Sequence, residues 1–314
     1  MSLHPTLYIL LATLLLGGCD QQTAAVASAP APVSTSSNAD AGSGASVGQD
    51  GIPQLQREAL LPLAAYIADP ASPQEPNAGE TRISEHFRQM YWSAAKRDDT
   101  LLAVDFIAGF PKVQDSFQRM DLIRSNRALL DSAFADARAN KHFSIYYRKA
   151  APLQLQHYDD KEKGFSFQLD WSEDRELYFA KPNTPGIQRD RWRLLVLGGS
   201  VPASQAAQSA IFRPPSEDAA RHIESRLAKV GNPDGKALSL PVILLGHTVA
   251  AHVHQFEYRV VFVVDAVVAL DPTDRTPLFT LDATHLGRSF PIRNKETAEL
   301  LGAPYPQTTH ARFM

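Results

Sequence analysis

Apolar positions recur along this chain in distinct rhythms, and each rhythm predicts an element. Between residues 80 and 140 the rhythm is helical. Ile83, Phe87, Tyr91 and Ala94 fall on one stripe, which Met90 and Trp92 broaden. A second helix starts at Asp98-Asp99-Thr100, carries Leu101, Leu102, Val104 and Phe106, and is closed by Gly109 and Pro111. Phe117, Met120, Leu122, Ile123, Leu129, Leu130, Phe134 and Ala137 mark one or two longer helices that end near Asn140. Upstream, residues 53–68 predict a short helix broken by Pro62.

After Lys141 the period shortens to that of strands. Residues 142–148 and 153–158 are rich in aromatic and apolar side chains; residues 159–164 form a polar turn, and Phe165, Phe167 and Leu169 then alternate with polar partners. Residues 177–180, 192–197 and 210–213 are further strand candidates. One helix interrupts them. Ser216 is its N-cap after Pro214-Pro215, Glu217 and Asp218 suit its positive end, Ala220, Ile223, Leu227 and Val230 form its stripe, and Gly231 ends it.

The strongest strand pattern lies in residues 240–251 and 258–270, followed by the turn Asp271-Pro272-Thr273-Asp274 into residues 277–281. Within 258–270 the even positions are all apolar, and Val261, Val263 and Val267 make the other face apolar too, as in a central strand covered on both sides. The predicted fold class is α+β: an N-terminal helical layer followed by a mostly antiparallel β-sheet carrying one helix. No internal repeat is visible.

The first fifty residues obey none of these periods. Residues 7–16 are almost wholly apolar, and ten residues at a rise of about 1.5 Å cover only half of a bilayer core of about 30 Å. His4 and the amino terminus are the only cationic groups ahead of that run. Residues 20–50 are Ala, Ser, Gly, Pro, Thr and Gln with a few acids, a composition that cannot offset the entropy of ordering and predicts a flexible tether. Its root-mean-square reach is roughly 30 Å. The composition thus divides the chain into a short apolar leader over residues 1–18, a tether over 19–50, and a single α+β domain over 51–314.

Charge supports that division. No Lys or Arg precedes Arg57, and removing Asp20, Asp40 and Asp50 from the 34 acids leaves 31 against 31 Lys and Arg, a neutral body. Neither the clustered basic surface of a nucleic-acid binder nor the polybasic run of an electrostatic membrane contact is present in the sequence. Cys19 is the only cysteine, so the body has no thiol for disulfides or cysteine-ligated metals. The chain is 44% hydrophobic, enough for an ordinary core.

The run Leu14-Leu15-Leu16-Gly17-Gly18-Cys19-Asp20 resembles the lipobox of bacterial lipoprotein signal peptides. The resemblance covers about the first twenty residues. It implies that residues 1–18 are a signal peptide, that the chain is exported across the inner membrane, and that Cys19, at the head of the 19–50 tether, is diacylated with cleavage just before it, leaving a protein held in the membrane by lipid. Two or more acyl chains give stable retention where one does not. A short uncleaved anchor is the alternative. Asp20 resembles the inner-membrane retention signal of enteric bacteria, which is read by sorting machinery. Further on, Tyr158-Asp159 ahead of Phe165-x-Phe167-x-Leu169, then residues 214–227 before the valine-rich strands, loosely resemble uncharacterised proteobacterial envelope proteins of unknown function, a likeness that brings no catalytic residues.

Candidate chemistry gathers in the histidines. His252 and His254 are two apart and share a strand face, as in His-x-His metal sites. Zinc needs a third ligand and an oriented second shell, and His247, His285 and Asp282 are the nearest donors in sequence. The other reading is that a turn at residues 255–257 leaves the pair half-exposed beside a hairpin tip. If that turn is centred at residue 256, His247 lies opposite Asp265, and each polar intruder satisfies the other. A catalytic His–Asp pair needs a nucleophile, and the sequence nominates none, so a structural pair is expected.

Other motifs have plainer readings. Gly198-Gly199-Ser200 lacks the Gly-x-Ser-x-Gly of a nucleophile elbow, because position 202 is Pro, and it lacks the Gly-Lys-Ser/Thr ending of a phosphate loop. It reads as a strand-terminating turn. Asp159, Asp160 and Glu162 do not follow the EF-hand pattern and read as a solvated turn. Trp92, Trp171 and Trp192 could stack on sugars, but aromatic residues first fill cores.

These observations lead to a lipid-anchored periplasmic protein that binds another envelope protein as an assembly factor, or in an inhibitor or immunity role, without cofactor or nucleic acid. The alternative is a metal-dependent envelope hydrolase using the region of His247, His252 and His254.

Overall fold

A computed structural model of the protein describes residues 45–47, 53–75, 80–147, 152–169, 177–178, 191–198, 210–230, 237–254, 257–287, 289–291, 295–302 and 310–313. All belong to one compact unit, Ala41–Met314. Cys19, Asp20, Trp171, Gly199, Ser200 and Gly231 lie outside the described residues, as do the side chains of Trp192 and His254.

Strands β1 (Ala45–Val47) and β2 (Pro53–Leu55) pair antiparallel, so β1 falls inside the stretch whose composition predicts a tether. The broken helix expected over residues 53–68 does not form. After β2 the chain runs extended, makes one 3-10 turn at Leu63–Ala65 behind Pro62, and bridges Ile67 to Phe143. Pro62 withholds a donor, and the backbone groups beyond the turn find partners in the neighbouring sheet: Ile67 N–H donates to the His142 carbonyl (3.0 Å) and Asp69 N–H to that of Ser144 (3.1 Å).

Four helices follow. In α1 (Glu80–Ala94) Phe87, Met90, Tyr91 and Trp92 are buried. In α2 (Asp99–Phe106) the Asp98 carboxylate caps the N–H groups of Thr100 and Leu101, and Gly109, at φ 79°, turns the chain out before Pro111. The spacing beyond it resolves into two helices, α3 (Ser116–Ser125), capped by Asp115, and α4 (Arg127–Ala139), split at Asn126. No residue of α3 is buried; Leu122 and Ile123 touch the core, while Phe117 is 75% exposed.

The remainder is mostly strand: β3 (His142–Tyr146), β4 (Leu153–Asp159), β5 (Gly164–Leu169), β6 (Leu177–Tyr178), β7 (Arg191–Leu197) and β8 (Ile211–Phe212). Helix α5 (Glu217–Ala228) comes next, then β9 (Leu238–Leu240), β10 (Val242–His254), β11 (Glu257–Leu270), β12 (Pro277–Leu281) and β13 (Ser289–Pro291). A short helix α6 (Lys295–Leu300), which the apolar pattern did not predict, precedes β14 (His310–Phe313). Ser216 caps α5 through the Ala219 N–H, and Ala220, Ile223 and Leu227 are its buried stripe. Val230 does not join that stripe, because the helix ends at Ala228 and the following turn leaves Val230 exposed.

The fold is α+β, helices α1–α4 first and mostly antiparallel sheets carrying α5 after them. The central sheet has the order β3-β10-β11-β7-β6, with β12 also on β11. Strand β11 meets β10 along its whole length; its other edge is shared, parallel β7 taking Glu257 to Val263 and antiparallel β12 taking Val267 to Leu270. A second sheet is ordered β8-β5-β4-β9 and a third β1-β2-β14-β13. Every residue of β11 from Tyr258 to Leu270 is buried.

The two faces of the central sheet have separate cores. On the first, Val242, Leu244, Val260, Phe262 and Val264 join the side chains of α1, α2 and α4 and those of the second sheet. On the second, Leu195, Leu197, Val261 and Val263 meet Leu55, Ala298 and Leu301, and further along Ile243, Leu245, Ala266, Val268 and Leu270 meet Tyr66. The even positions of β11 therefore do not share one face throughout. Register shifts at Leu245/Gly246 and Thr248/Ala250 leave Asp265 and Val249 as extra residues, and the phase of β11 reverses at Asp265. Gly246 makes this possible, since a Cβ there would stand 2.0 Å from the Val263 carbonyl oxygen and 2.7 Å from the Phe262 ring.

Candidate functional site

Among the described residues, the bulge at Asp265 builds a concentrated polar group on the second face. Pairing at the hairpin base runs His254 to Glu257, not about residue 256, and with the bulges His247 lies opposite Val263, not opposite Asp265 as the simple register predicts. The side chains meet nonetheless. His247 Nδ1 is 2.8 Å from Asp265 Oδ2, with the residues 3% and 2% exposed. The other Asp265 oxygen accepts the Glu58 N–H at 2.8 Å.

Glu58 brings the extended segment after β2 onto this pair. Its carboxylate forms an ion pair with Lys141, accepts from His142 Nε2 at 2.5 Å, and stands 3.9 Å from His247 Nε2. His142 is the β3 partner of His247, so both rings point to the same face, with centroids 6.3 Å apart. Burial raises the Glu58 pKa, but hydrogen bonds from Lys141 and His142 and the charge on His247 outweigh it, and the carboxyl is held below its usual range. Tyr66, edge-on to the His142 ring, has its hydroxyl pKa pushed up by burial and by the charges of Asp265 and Glu58, against the hydrogen bond it accepts from the Leu61 N–H. Arg57 completes the attachment, donating to the carbonyls of Val264 (3.1 Å) and Gly287 (2.5 Å).

An Asp–His pair can act as a base only if its outer nitrogen reaches a nucleophile or substrate. Here that nitrogen faces the Glu58 carboxylate under the segment that carries it. The hydroxyls of Thr248 and Ser93 bond each other at 2.5 Å beside α1, on the opposite face.

The other sequence candidates are dispersed. His252 pairs across the strands with Arg259, which pairs with Arg193 on β7, so three cationic or titratable side chains form one row on the second face. Arg259 is 6% exposed and held by Glu257 at 2.6–2.7 Å. Two guanidinium groups beside His252 oppose a divalent cation electrostatically. His285 and Asp282 bond each other at 2.8 Å in the turn after β12, where the same carboxylate caps Thr284, and His285 lies against the rings of Phe167 and Phe212. Among the described residues no three His, Cys, Asp or Glu side chains are gathered for a metal.

The remaining motifs are structural where they are described. Gly198 ends β7 at φ 70°. Asp159 Oδ1 accepts the N–H groups of Lys161 and Glu162 in the turn before β5. Trp92 is fully buried and donates to Asp105 at 2.7 Å. That carboxylate borders an open groove of about 440 Å³ at the end of α2, where Phe106, Gly109 and Lys112 are other lining residues.

The row of His252, Arg259 and Arg193, and the gathering of Glu58, Lys141 and His142 around His247, were missed in the sequence. Only cross-strand register and a contact across 84 residues join them. No family model, curated protein or solved structure matches the chain. Among the described residues no helix is long and apolar enough to cross a membrane.

Proposed function

We propose that this chain is a lipid-anchored protein of the bacterial cell envelope, facing the periplasm, whose α+β body binds another envelope protein and performs no covalent chemistry. The anchoring half rests on the lipobox-like run ending at Cys19, with Asp20 favouring the inner membrane. The binding half rests on one observation. The buried His–Asp pair, the arrangement in the body most like a catalytic device, has Asp265 on one ring nitrogen and the Glu58 carboxylate facing the other, with His247 only 3% exposed. Such a pair orders a bulged strand and the segment laid across it.

Radioactive palmitate should label the chain in cells, and the label should vanish from Cys19→Ser. Label persisting in that variant would overturn the anchor. Affinity purification from detergent-solubilised envelopes, with the native anchor intact, should then recover a stoichiometric protein partner. Stoichiometric zinc in the purified chain, lost on replacing His252 and His254, would overturn the binding reading in favour of a metal-dependent hydrolase.

A further inference from the structure

Residues 56–69 are fastened to the sheet in two chemically different ways. The far end is held mainly by backbone bonds to the β3 edge: Ile67 N–H donates to the His142 carbonyl, the Ile67 carbonyl accepts the Ser144 N–H, Asp69 N–H donates to the Ser144 carbonyl, and Asp69 Oδ2 accepts the Tyr146 N–H. Apart from the Asp69 carboxylate, those bonds involve no titratable group. The near end depends on side chains, with Arg57 on two carbonyls, Glu58 N–H on Asp265, and the Glu58 carboxylate among Lys141, His142 and His247. Between the two ends Leu60 and Leu63 are 47% and 48% exposed, and Leu61, half-buried against the Tyr66 patch, is the apolar contact of this stretch.

We propose that the Glu58 carboxylate, gripped by Lys141, His142 and His247, is a pH-gated clasp that holds residues 56–65 over the second face of the sheet and releases them as the histidines lose their protons. The clasp stands independently of the proposed function.

The charges facing the clasp give the sign. The strand side supplies His142 from β3, His247 from β10 and Asp265 from β11; the α4–β3 link supplies Lys141, and the segment itself Arg57, Glu58, Tyr66 and Asp69. With both imidazoles protonated, Glu58 faces three cations and Asp265 balances one of them. When His142 is neutral, its Nε2–H can still donate, without charge assistance. When His247 is neutral, its one proton stays on Nδ1 against Asp265, and Nε2 turns a lone pair toward the Glu58 carboxylate. An attraction becomes a repulsion. The clasp is therefore tighter with both imidazoles protonated than with either of them neutral. At much lower pH Glu58 itself gains a proton, and the cations again lose their partner.

Amide hydrogen exchange on the full chain in detergent micelles, corrected for the intrinsic pH dependence, reads this directly. The reporters are the Glu58 and Leu61 N–H groups, bonded to Asp265 and to the Tyr66 hydroxyl, and the controls are Ile67 and Asp69. Protection at the reporters should fall about tenfold from pH 5.5 to 8 while the controls stay within about twofold, as expected when charge-assisted bonds become neutral ones. In His142→Gln, which keeps a neutral donor, the profile should flatten. Reporters that do not respond to pH, controls that follow them, or a full response persisting in His142→Gln would overturn the clasp. Should that variant not fold, Glu58→Gln decides between the same outcomes, since it offers the imidazoles no charge: a flat profile upholds the inference and an unchanged one overturns it.

Discussion

The two faces of the central sheet are built on opposite terms. The first is closed by α1, α2 and α4 over an apolar layer containing Phe87, Trp92, Leu130 and Phe262, all fully buried. The second is closed by shorter pieces, among them β2, α6 and the segment around Tyr66, and between its two small apolar patches sits the group of Glu58, Lys141, His142, His247 and Asp265. One face is secured by area, which is indifferent to pH and not directional. The other is secured by bonds that need particular atoms in particular protonation states. A helix laid on a sheet can shift slightly and keep its burial; a segment held by directed bonds cannot.

The most severe test of the contrast is to open a hole on the first face. Phe262→Ala should cost about 4 kcal/mol in urea denaturation at any pH from 5 to 8, through lost transfer and an unfilled cavity. Next comes the buried anchor of the second face. Asp265→Ala strips a partner from the His247 ring and from the Glu58 N–H together, and should cost about 3 kcal/mol by the same measurement.

Glu58→Gln should cost about 1 kcal/mol, less than Asp265→Ala because the side chain is 30% exposed. Its signature is the pH dependence. The Glu58 pKa is held below 4.5 in the fold, so on the acid side its contribution is lost as pH falls through the lower folded value, while on the alkaline side it declines as the clasp slackens. The difference between wild type and Glu58→Gln, followed by urea titrations, should therefore shrink in acid. Smallest is Phe117→Ser on α3, where a 75% exposed ring fills nothing, and the midpoint should shift by no more than about 0.5 kcal/mol. A large loss there would mean that α3 is held more tightly than its exposure indicates.

The first face was almost wholly legible in the sequence. Helical spacing from Ile83 to Ala137, the helix start at Asp98-Asp99-Thr100, Ser216 as a cap, and the apolar runs that became β10 and β11 are all local signals. The second face was legible only in part. His247 and Asp265 stood out as polar residues in apolar strands, and their side chains meet, but by a route the pattern could not disclose. Two bulges shift the strands, and the phase of β11 reverses at Asp265. Glu58, Lys141 and His142 gave no signal, because nothing in their own neighbourhoods marks them. Residues 53–68 carry apolar side chains at irregular intervals, and the chain settles instead into an extended path that borrows its bonding from the sheet.

Asp265 has a second consequence, in the chain before it folds. From Val260 to Leu270 it is the only charged residue in a run of valine, alanine, leucine and phenylalanine. Uninterrupted, such a run would stack readily with its own copies into cross-β fibres while the chain is still unfolded. One carboxylate near its middle makes identical chains repel in register. The residue that bends the finished strand also acts as gatekeeper for the unfinished one.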